Sequence, residues 1–320
     1  MGRLMRVGPN IAEMFKGVET SKLKRVLEMV REASSSELLM IDDAGLNSYH
    51  HLLRRGISIP SAQYTENALC SRDPEGRTLL QRIIATTAWS LQEIPVNLFT
   101  YKALSAQDND GKTGFHGLAE KGKLNFAAKH LLTQKNLSMT DKQGLTCFHY
   151  AAKGGMFLKL PTDFVTEETL RVKELGNTTP AHWMATTGEL VELPARLLTQ
   201  DLLTTRDKNA WTVLHEAAVS GNVGKLPPRL ITVDNMLLEA VVKHFLPPLF
   251  KGANACTVMQ LVAAGNTYAS LPIYQQPFMI LSGKERGDWL ALLSRYTLPI
   301  PVSLEKDFSH LQQVGSWAGL

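Results

Sequence analysis

Three residue types that commonly do chemistry stand close together in the segment GLTCFHYAAKGG, residues 144–155. Cys147 lies two residues before His149, and Tyr150 follows the histidine directly. A cysteine activated by a histidine is a common nucleophile, and both side chains are common zinc ligands. The segment therefore raises two chemical hypotheses, a catalytic pair and a metal site.

The same segment recurs along the chain at a fixed spacing of 33 residues. The recurring histidines are His116, His149, His182 and His215. Each has a threonine three residues before it, at Thr113, Thr146, Thr179 and Thr212, and an acid eight residues before it, at Asp108, Asp141, Glu174 and Asp207. Weaker copies carry Asp42 with His50, Asp73 with Gln81, and Thr257 with Gln260. The sequence therefore contains about seven copies of one unit.

The periodicity argues against both chemical hypotheses. Equivalent residues of stacked helical repeats lie one layer apart, on the order of 8 to 10 Å, whereas imidazoles that share a zinc ion place their nitrogens about 2.0 to 2.1 Å from it. The adjacent His50 and His51 point in different directions on a helix, and Cys147 does not naturally face His149 across a helix start. The sequence lacks G-x-S-x-G, H-E-x-x-H and P-loop motifs. We expect no catalytic residue, no metal and no cofactor.

The copy at 141–155 reads D-x-x-G-x-T-x-x-H-x-A-A-x-x-G, and the other copies match part of this pattern. In this pattern the chain resembles the ankyrin-repeat family, whose 33-residue unit folds as a turn plus two antiparallel helices. The resemblance covers residues 37–275 and implies an all-α fold, an ankyrin-like α-solenoid of about seven repeats with helical caps. It also implies that the threonines and histidines secure the turn into the first helix. The family's proline survives only as Pro180.

The second half of each copy departs from the family in a regular way. Proline comes twelve residues after the key residue, at Pro161, Pro194 and Pro227. Five residues further on comes a threonine with an apolar residue four positions later, as in Thr166 with Leu170 and Thr199 with Leu203. Because proline favours a first helical turn and threonine is a good N-cap, this half is predicted to form two short helices. The P-x4-T-x3-L pattern resembles a bacterial subclass of ankyrin arrays.

We expect three regions along the chain. Residues 1–36 hold an N-terminal segment and an amphipathic capping helix at 20–33. Residues 37–275 hold the repeat array, with a twelve-residue insertion around 234–250 that lengthens a helix or adds one. Residues 276–320 form a C-terminal helical cap and tail, in which a helix around 284–296 packs Trp289 and Leu292 on the last repeat.

The composition of the chain limits the cellular compartments that we expect for the protein. The 320 residues carry a formal net charge of +4, and three cysteines stand far apart without a C-x-x-C pair. No apolar stretch is long enough to span a bilayer, and the N-terminus lacks the apolar region of a secretory signal. We expect a cytoplasmic monomer that does not associate with membranes.

The function predicted from these features is non-catalytic protein–protein interaction through the concave face of the repeat stack. The candidate partner-binding residues are Lys112, Lys121, Leu145, Tyr150, Lys153, Trp183 and Trp211. Residues 102–159 hold nine lysines against four acids, but without arginine clusters we do not expect nucleic acid as the partner. Two alternatives stay open: an enzyme or nucleic-acid binder with a site near the insertion, and a secreted effector that binds a host protein.

Overall fold

The computed structural model describes residues 10–15, 20–86, 91–241, 255–258 and 261–262, together with residues 288, 291–293 and 295 near the C-terminus. The chain divides into two compact units, Met1–Leu160 and Pro161–Leu320, called unit 1 and unit 2 below. Short helices dominate the described part of both units.

The α-helices of unit 1 are α1 (Ile11–Met14), α2 (Thr20–Glu32), α3 (Ser35–Leu38), α4 (Ser48–Arg54), α5 (Glu66–Cys70), α6 (Leu79–Ala85), α7 (Tyr101–Ser105), α8 (Gly114–Glu120), α9 (Gln134–Leu137) and α10 (Cys147–Lys153). Those of unit 2 are α11 (Glu167–Leu170), α12 (Pro180–Thr187), α13 (Gln200–Leu203), α14 (Val213–Val219) and α15 (Val233–Met236). Unit 2 also holds two short strands, β1 (Glu239–Val241) and β2 (Ala255–Thr257).

The acid at the start of each copy organises a tight turn. In unit 1, Oδ1 of Asp141 accepts the backbone N–H groups of Gln143 and Leu145, at 2.8 and 2.9 Å. Gly144 supplies the left-handed backbone (φ +81°) that this turn needs, and Ala210 adopts the same conformation (φ +58°) in unit 2. The side chain of the acid thus holds the turn that leads into the next helix.

Threonine and histidine then fix the start of the long helix in each copy. The backbone N–H of Thr113 donates to Nδ1 of His116 at 3.0 Å, and Thr212 does the same to His215 at 3.2 Å. In return, the N–H groups of these two histidines donate to the threonine hydroxyl oxygens. Both bonds satisfy N–H groups that a helix start leaves without a partner. These are local hydrogen bonds of the kind that the resemblance implies for these threonines and histidines.

The other ring nitrogen of the histidine binds the following copy. Nε2 of His116 lies 2.9 Å from the carbonyl oxygen of Met139 and 3.2 Å from that of Leu145. Because Nδ1 accepts an N–H, the proton of the neutral ring sits on Nε2, which donates to these carbonyls. Burial lowers the pKa of His116 and so favours this neutral form. His116 therefore joins its own helix start to the next turn, and His182 does so in unit 2, where its Nε2 lies 3.2 Å from the carbonyl oxygen of Trp211.

Glutamine makes the same set of bonds in an earlier copy. Oε1 of Gln81 accepts the N–H of Thr78 at 2.7 Å, and its Nε2 donates to the carbonyl oxygen of Lys112 at 2.5 Å. Lys112 holds the position that Leu145 holds one copy later. An amide can thus replace the imidazole because it offers one acceptor and one donor at similar reach.

His50 differs from these clamping residues. Its helix α4 begins after Asn47, whose side-chain oxygen accepts the His50 N–H at 3.1 Å. Neither ring nitrogen of His50 has a hydrogen-bond partner among the described residues, and the residue is only 3% exposed. Burial lowers the pKa of His50 to about 4, although the carboxylate of Asp73 opposes this shift. The ring is therefore neutral at pH 7 and is charged only at a cost.

We expect acid to destabilise unit 1 through His50 between pH 6.5 and pH 4. In this window the unfolded chain binds a proton at His50 that the folded chain excludes. The free energy of unfolding therefore falls as pH falls, by about 3 kcal/mol in total, and this contribution is constant below pH 4. Urea unfolding across this range, with amide exchange in α4 and α6 as the local readout, measures the slope. His50→Leu is the control, and an equal slope in both proteins would contradict the prediction.

In most of the copies that the structure describes, the second half forms two short helical segments, as predicted. Pro161 precedes a 3-10 helix at Thr162–Phe164, and Thr166 then caps α11 by accepting the N–H of Thr169 at 3.2 Å. The same order recurs with Pro227 and a 3-10 helix at Pro228–Leu230. Proline fits before these segments because it fixes an extended entry and needs no donor there. The other 3-10 helices are Ser61–Gln63, Leu91–Glu93, Val96–Leu98, Leu124–Phe126, Lys129–Leu131, Phe157–Lys159, Glu189–Glu192 and Val223–Lys225.

The inserted residues fall between two strands, β1 and β2, and the helix before them, α15, has the same four-residue length as α13 in the preceding copy, which corrects the expectation of a lengthened helix. Strands β1 and β2 pair in antiparallel fashion, with Glu239 opposite Thr257. In the preceding copy the equivalent residues, Arg206 and Thr212, form a single bridge across the turn. The twelve extra residues therefore separate two bridge partners and extend a turn into a hairpin. Residues 242–254, where an added helix was the other expectation, lie outside the described residues.

The predicted N-terminal helix is confirmed as α2, with Val26 and Val30 buried. A further short helix, α1, precedes it, and Phe15 at its end stacks on the ring of His51 at 5.3 Å. Near the C-terminus, residues 288, 291–293 and 295 are helical and Leu292 is buried. Trp289 lies outside the described residues.

Candidate functional site

The cysteine, histidine and tyrosine that suggested chemistry have separate structural roles. Nδ1 of His149 accepts the backbone N–H of Thr146 at 3.2 Å, so this nitrogen serves the helix start. Cys147 is fully buried, and burial raises the pKa of its thiol. Since the thiolate is the reactive form, this environment disfavours a nucleophilic role for Cys147.

Metal ligation was the second chemical hypothesis. Within the ranges that the structure describes, no three histidine, cysteine, aspartate or glutamate side chains are grouped so that they could hold an ion. The candidate region around the insertion, residues 234–256, is described only in part.

The structure separates the predicted partner-binding residues into three groups. Lys121 and Lys153 are exposed, Lys112 and Trp183 are partly exposed, and Leu145, Tyr150 and Trp211 are buried. Trp211 was expected to be an exposed aromatic at a turn tip, but its exposed fraction is 0%. Its ring packs against His215 with centroids 5.1 Å apart. The expectation of exposure fails because the turn tip folds back onto the helix that follows it.

Tyr150 and Lys112 belong to one connected network in unit 1. The hydroxyl of Tyr150 donates to Oδ2 of Asp141 at 2.8 Å, and burial, with this carboxylate, raises the pKa of Tyr150. Nζ of Lys112 lies 4.2 Å from the centroid of the Tyr150 ring and 2.8 Å from Oε2 of Glu120. His116 meets the edge of the same ring, with centroids 5.1 Å apart. These contacts hold Lys112 in the lining of a groove.

The groove lies in unit 1 between helices α6 and α8 and has a volume of about 450 Å³. Gly117 and Ile84 give it a nonpolar part. Its charged lining residues are Arg77, Lys112 and Lys121, which are basic, and Asp108, Asp110 and Glu120, which are acidic. A volume of this size is within the range of ligand-binding clefts. The groove therefore offers both acidic and basic side chains to a ligand.

Gly117 leaves this groove open because it has no side chain at a position where the other copies of unit 1 have one. The residue that directly follows the key histidine or glutamine, called here the donor position, is His51, Arg82, Gly117 and Tyr150 in successive copies of unit 1. Each of the three side chains donates to the acid at the start of its own copy: His51 to Asp42, Arg82 to Asp73 and Tyr150 to Asp141. Gly117 has nothing to donate to Asp108.

Sequence reasoning selected Lys112 and Lys121 but missed Asp108, Asp110 and Gly117 as parts of one site. A signal was available, since Gly117 is the only glycine at the donor position of the four copies in unit 1. The signal carried no meaning until the structure showed that the donor position faces the acid nine residues earlier.

No protein-family model matches the sequence, and a search among curated proteins finds no significant match. None of the described helices is both long and apolar enough to cross a bilayer. The assignment of function therefore depends on the geometry of the chain itself.

Proposed function

We propose that this protein is a non-catalytic binding module built as an ankyrin-like α-solenoid, and that it binds a protein partner. The binding surface consists of the first-helix face and turn tips of the copies. The support for a repeat array is the recurrence of one set of turn, cap and clamp hydrogen bonds at 33-residue spacing, together with the resemblance of the sequence pattern to ankyrin repeats.

The observation that carries the proposal is the groove between α6 and α8. It combines a defined volume of about 450 Å³ with charged side chains of both signs and a glycine floor. The residue types that suggested catalysis are held in the interior, where they stabilise helix starts, whereas Lys121 and Lys153 are exposed on the predicted surface. We infer recognition of a polypeptide at this surface because its exposed side chains carry charge, whereas the thiol of Cys147 is buried.

Affinity capture followed by mass spectrometry tests the proposal. We expect the double variant Lys121→Glu, Lys153→Glu to lose captured partners at least tenfold relative to wild type, because it reverses two charges on the proposed surface. The matched control is Lys129→Glu, Lys135→Glu, which reverses two exposed lysines in the second half of a copy. Equal loss in both variants, or retention of every partner by the first, would refute the proposed surface.

A further inference from the structure

We propose that the groove binds an arginine side chain of the partner polypeptide, which takes the place of the missing side chain at Gly117. This inference rests on the proposed function and specifies the chemistry of the partner. The ligand group is a guanidinium, and its receptor is the pair of carboxylates Asp108 and Asp110.

The preceding copy shows how such a receptor is filled within one chain. Arg82 occupies the donor position of that copy, and its guanidinium donates from Nε to Asp73 and from Nη2 to Glu75. Asp73 is 6% exposed, so this ion pair closes the space between turn and helix. A planar guanidinium suits two carboxylates because its donors point along a fixed fork.

The copy that holds the groove keeps both acceptors but has lost the donor. Asp108 and Asp110 stand at the positions of Asp73 and Glu75, while glycine replaces arginine at position 117. Oδ1 of Asp108 accepts the N–H groups of Asp110 and Lys112, at 3.0 and 2.8 Å. No side chain among the described residues donates to Oδ2 of Asp108.

The neighbouring lysine does not fill the vacant position. Nζ of Lys112 is held by Glu120 and lies over the ring of Tyr150, as described above. A side chain at position 117 itself would meet an obstacle, since a Cβ there would lie 2.9 Å from Cγ2 of Ile84. The helix α8 therefore packs close to α6 and leaves the two carboxylates open to a side chain from outside the chain.

Other donors fit the two carboxylates less well. In two copies of unit 1 the turn carries one acid, because Ala44 and Gln143 stand at the second acceptor position. The donors of these copies, His51 and Tyr150, each make one hydrogen bond to that acid. Within unit 1 the second acid occurs only at Glu75 and Asp110 among these turns. In the copy that begins at Asp73, a turn with two acids occurs together with an arginine at the donor position. This favours an arginine as the ligand of Asp108 and Asp110, because their own copy lacks the donor.

Titration of N-acetyl-arginine amide into the ¹⁵N-labelled full-length protein tests the inference. We expect saturable shifts of the Asp110, Lys112 and Gly117 amide signals. N-acetyl-citrulline amide has nearly the same shape but no charge, and its affinity should be lower by a factor of about ten or more. N-acetyl-lysine amide should also bind more weakly because it cannot bridge both carboxylates. Equal binding of the arginine and citrulline compounds would overturn the inference.

The double variant Asp108→Asn, Asp110→Asn should reduce arginine-amide binding at least tenfold. The asparagine oxygen at position 108 can still accept the two turn N–H groups, so the fold is kept. Asp141→Asn is the matched control, because Tyr150 already occupies the equivalent carboxylate. Undiminished binding by the double variant would overturn the inference.

The outcomes separate this inference from the proposed function. If the arginine compound does not bind while the Lys121→Glu, Lys153→Glu variant still loses its captured partner, the guanidinium assignment is wrong and the protein-binding surface stands. If the arginine compound binds and the double asparagine variant also loses captured partners, both proposals are supported.

Discussion

Replacing His116 by alanine lowers the free energy of unfolding by about 3 to 4 kcal/mol. The change removes the acceptor for the buried N–H of Thr113 and the donor to the carbonyls of Met139 and Leu145. It also removes a fully buried ring that contacts Tyr150. Urea unfolding, with amide exchange in α8 and α10 to locate the loss, measures the effect.

The variant His116→Gln is the matched comparison, because Gln81 makes the same bonds in its own copy. We expect it to cost about 1 kcal/mol or less, since the amide restores one acceptor and one donor. If glutamine proves as damaging as alanine, the stabilisation comes from the volume of the ring instead of its hydrogen bonds. If His116→Ala lowers the free energy of unfolding by less than about 1 kcal/mol, the hydrogen bonds of His116 contribute little and the role assigned to them is wrong.

Replacing Trp211 by alanine lowers the free energy of unfolding of unit 2 by about 3 to 5 kcal/mol. The side chain is fully buried and packs on the ring of His215, so its removal leaves a large cavity at a helix start. Trp183, which is partly exposed, gives a smaller loss on the same change. Intrinsic fluorescence and far-ultraviolet circular dichroism during urea unfolding measure both variants.

Trp211→Leu is the informative control for this prediction. Leu145 holds the equivalent position in unit 1 and is itself 8% exposed, so a leucine at 211 recovers part of the packing. An unfolding energy of Trp211→Ala close to that of wild type would show that the ring is not packed as described. The same reasoning excludes Trp211→Ala from binding assays, because a loss of partner binding would report damaged folding.

The groove illustrates a site that spacing alone could not define. Lys112, Lys121 and Tyr150 were selected as surface residues. Lys121 is exposed and Lys112 is partly exposed, but Tyr150 is buried. Asp108 and Gly117 were overlooked because a missing side chain is what links them. The carboxylate of Asp108 still holds its turn, but Gly117 has no side chain to donate to it, unlike the residues at this position in neighbouring copies. Recognising that relation requires knowing which side chain reaches the acid across the turn and helix.

By itself, the sequence determined the repeating local structure. The later proline and threonine predict the two short helices from residue type and spacing, and the resemblance to ankyrin repeats implies that the threonine and the key histidine secure the helix start. The hydrogen bonds at these helix starts join groups only two to five residues apart, so residue type and spacing fix them. The departure into two short helical segments was predicted on the same ground.

Only the tertiary structure decided which residues face a neighbouring copy and which face solvent. Trp211 and Lys112 hold equivalent turn-tip positions, but the first is buried and the second borders the groove. The structure likewise showed that the inserted residues fall between two bridge partners, Glu239 and Thr257, and that the helix before them, α15, is not lengthened. The close approach of α8 to α6 at Gly117 depends on the side chain that the preceding copy places opposite, Ile84, and this contact joins residues about one repeat apart.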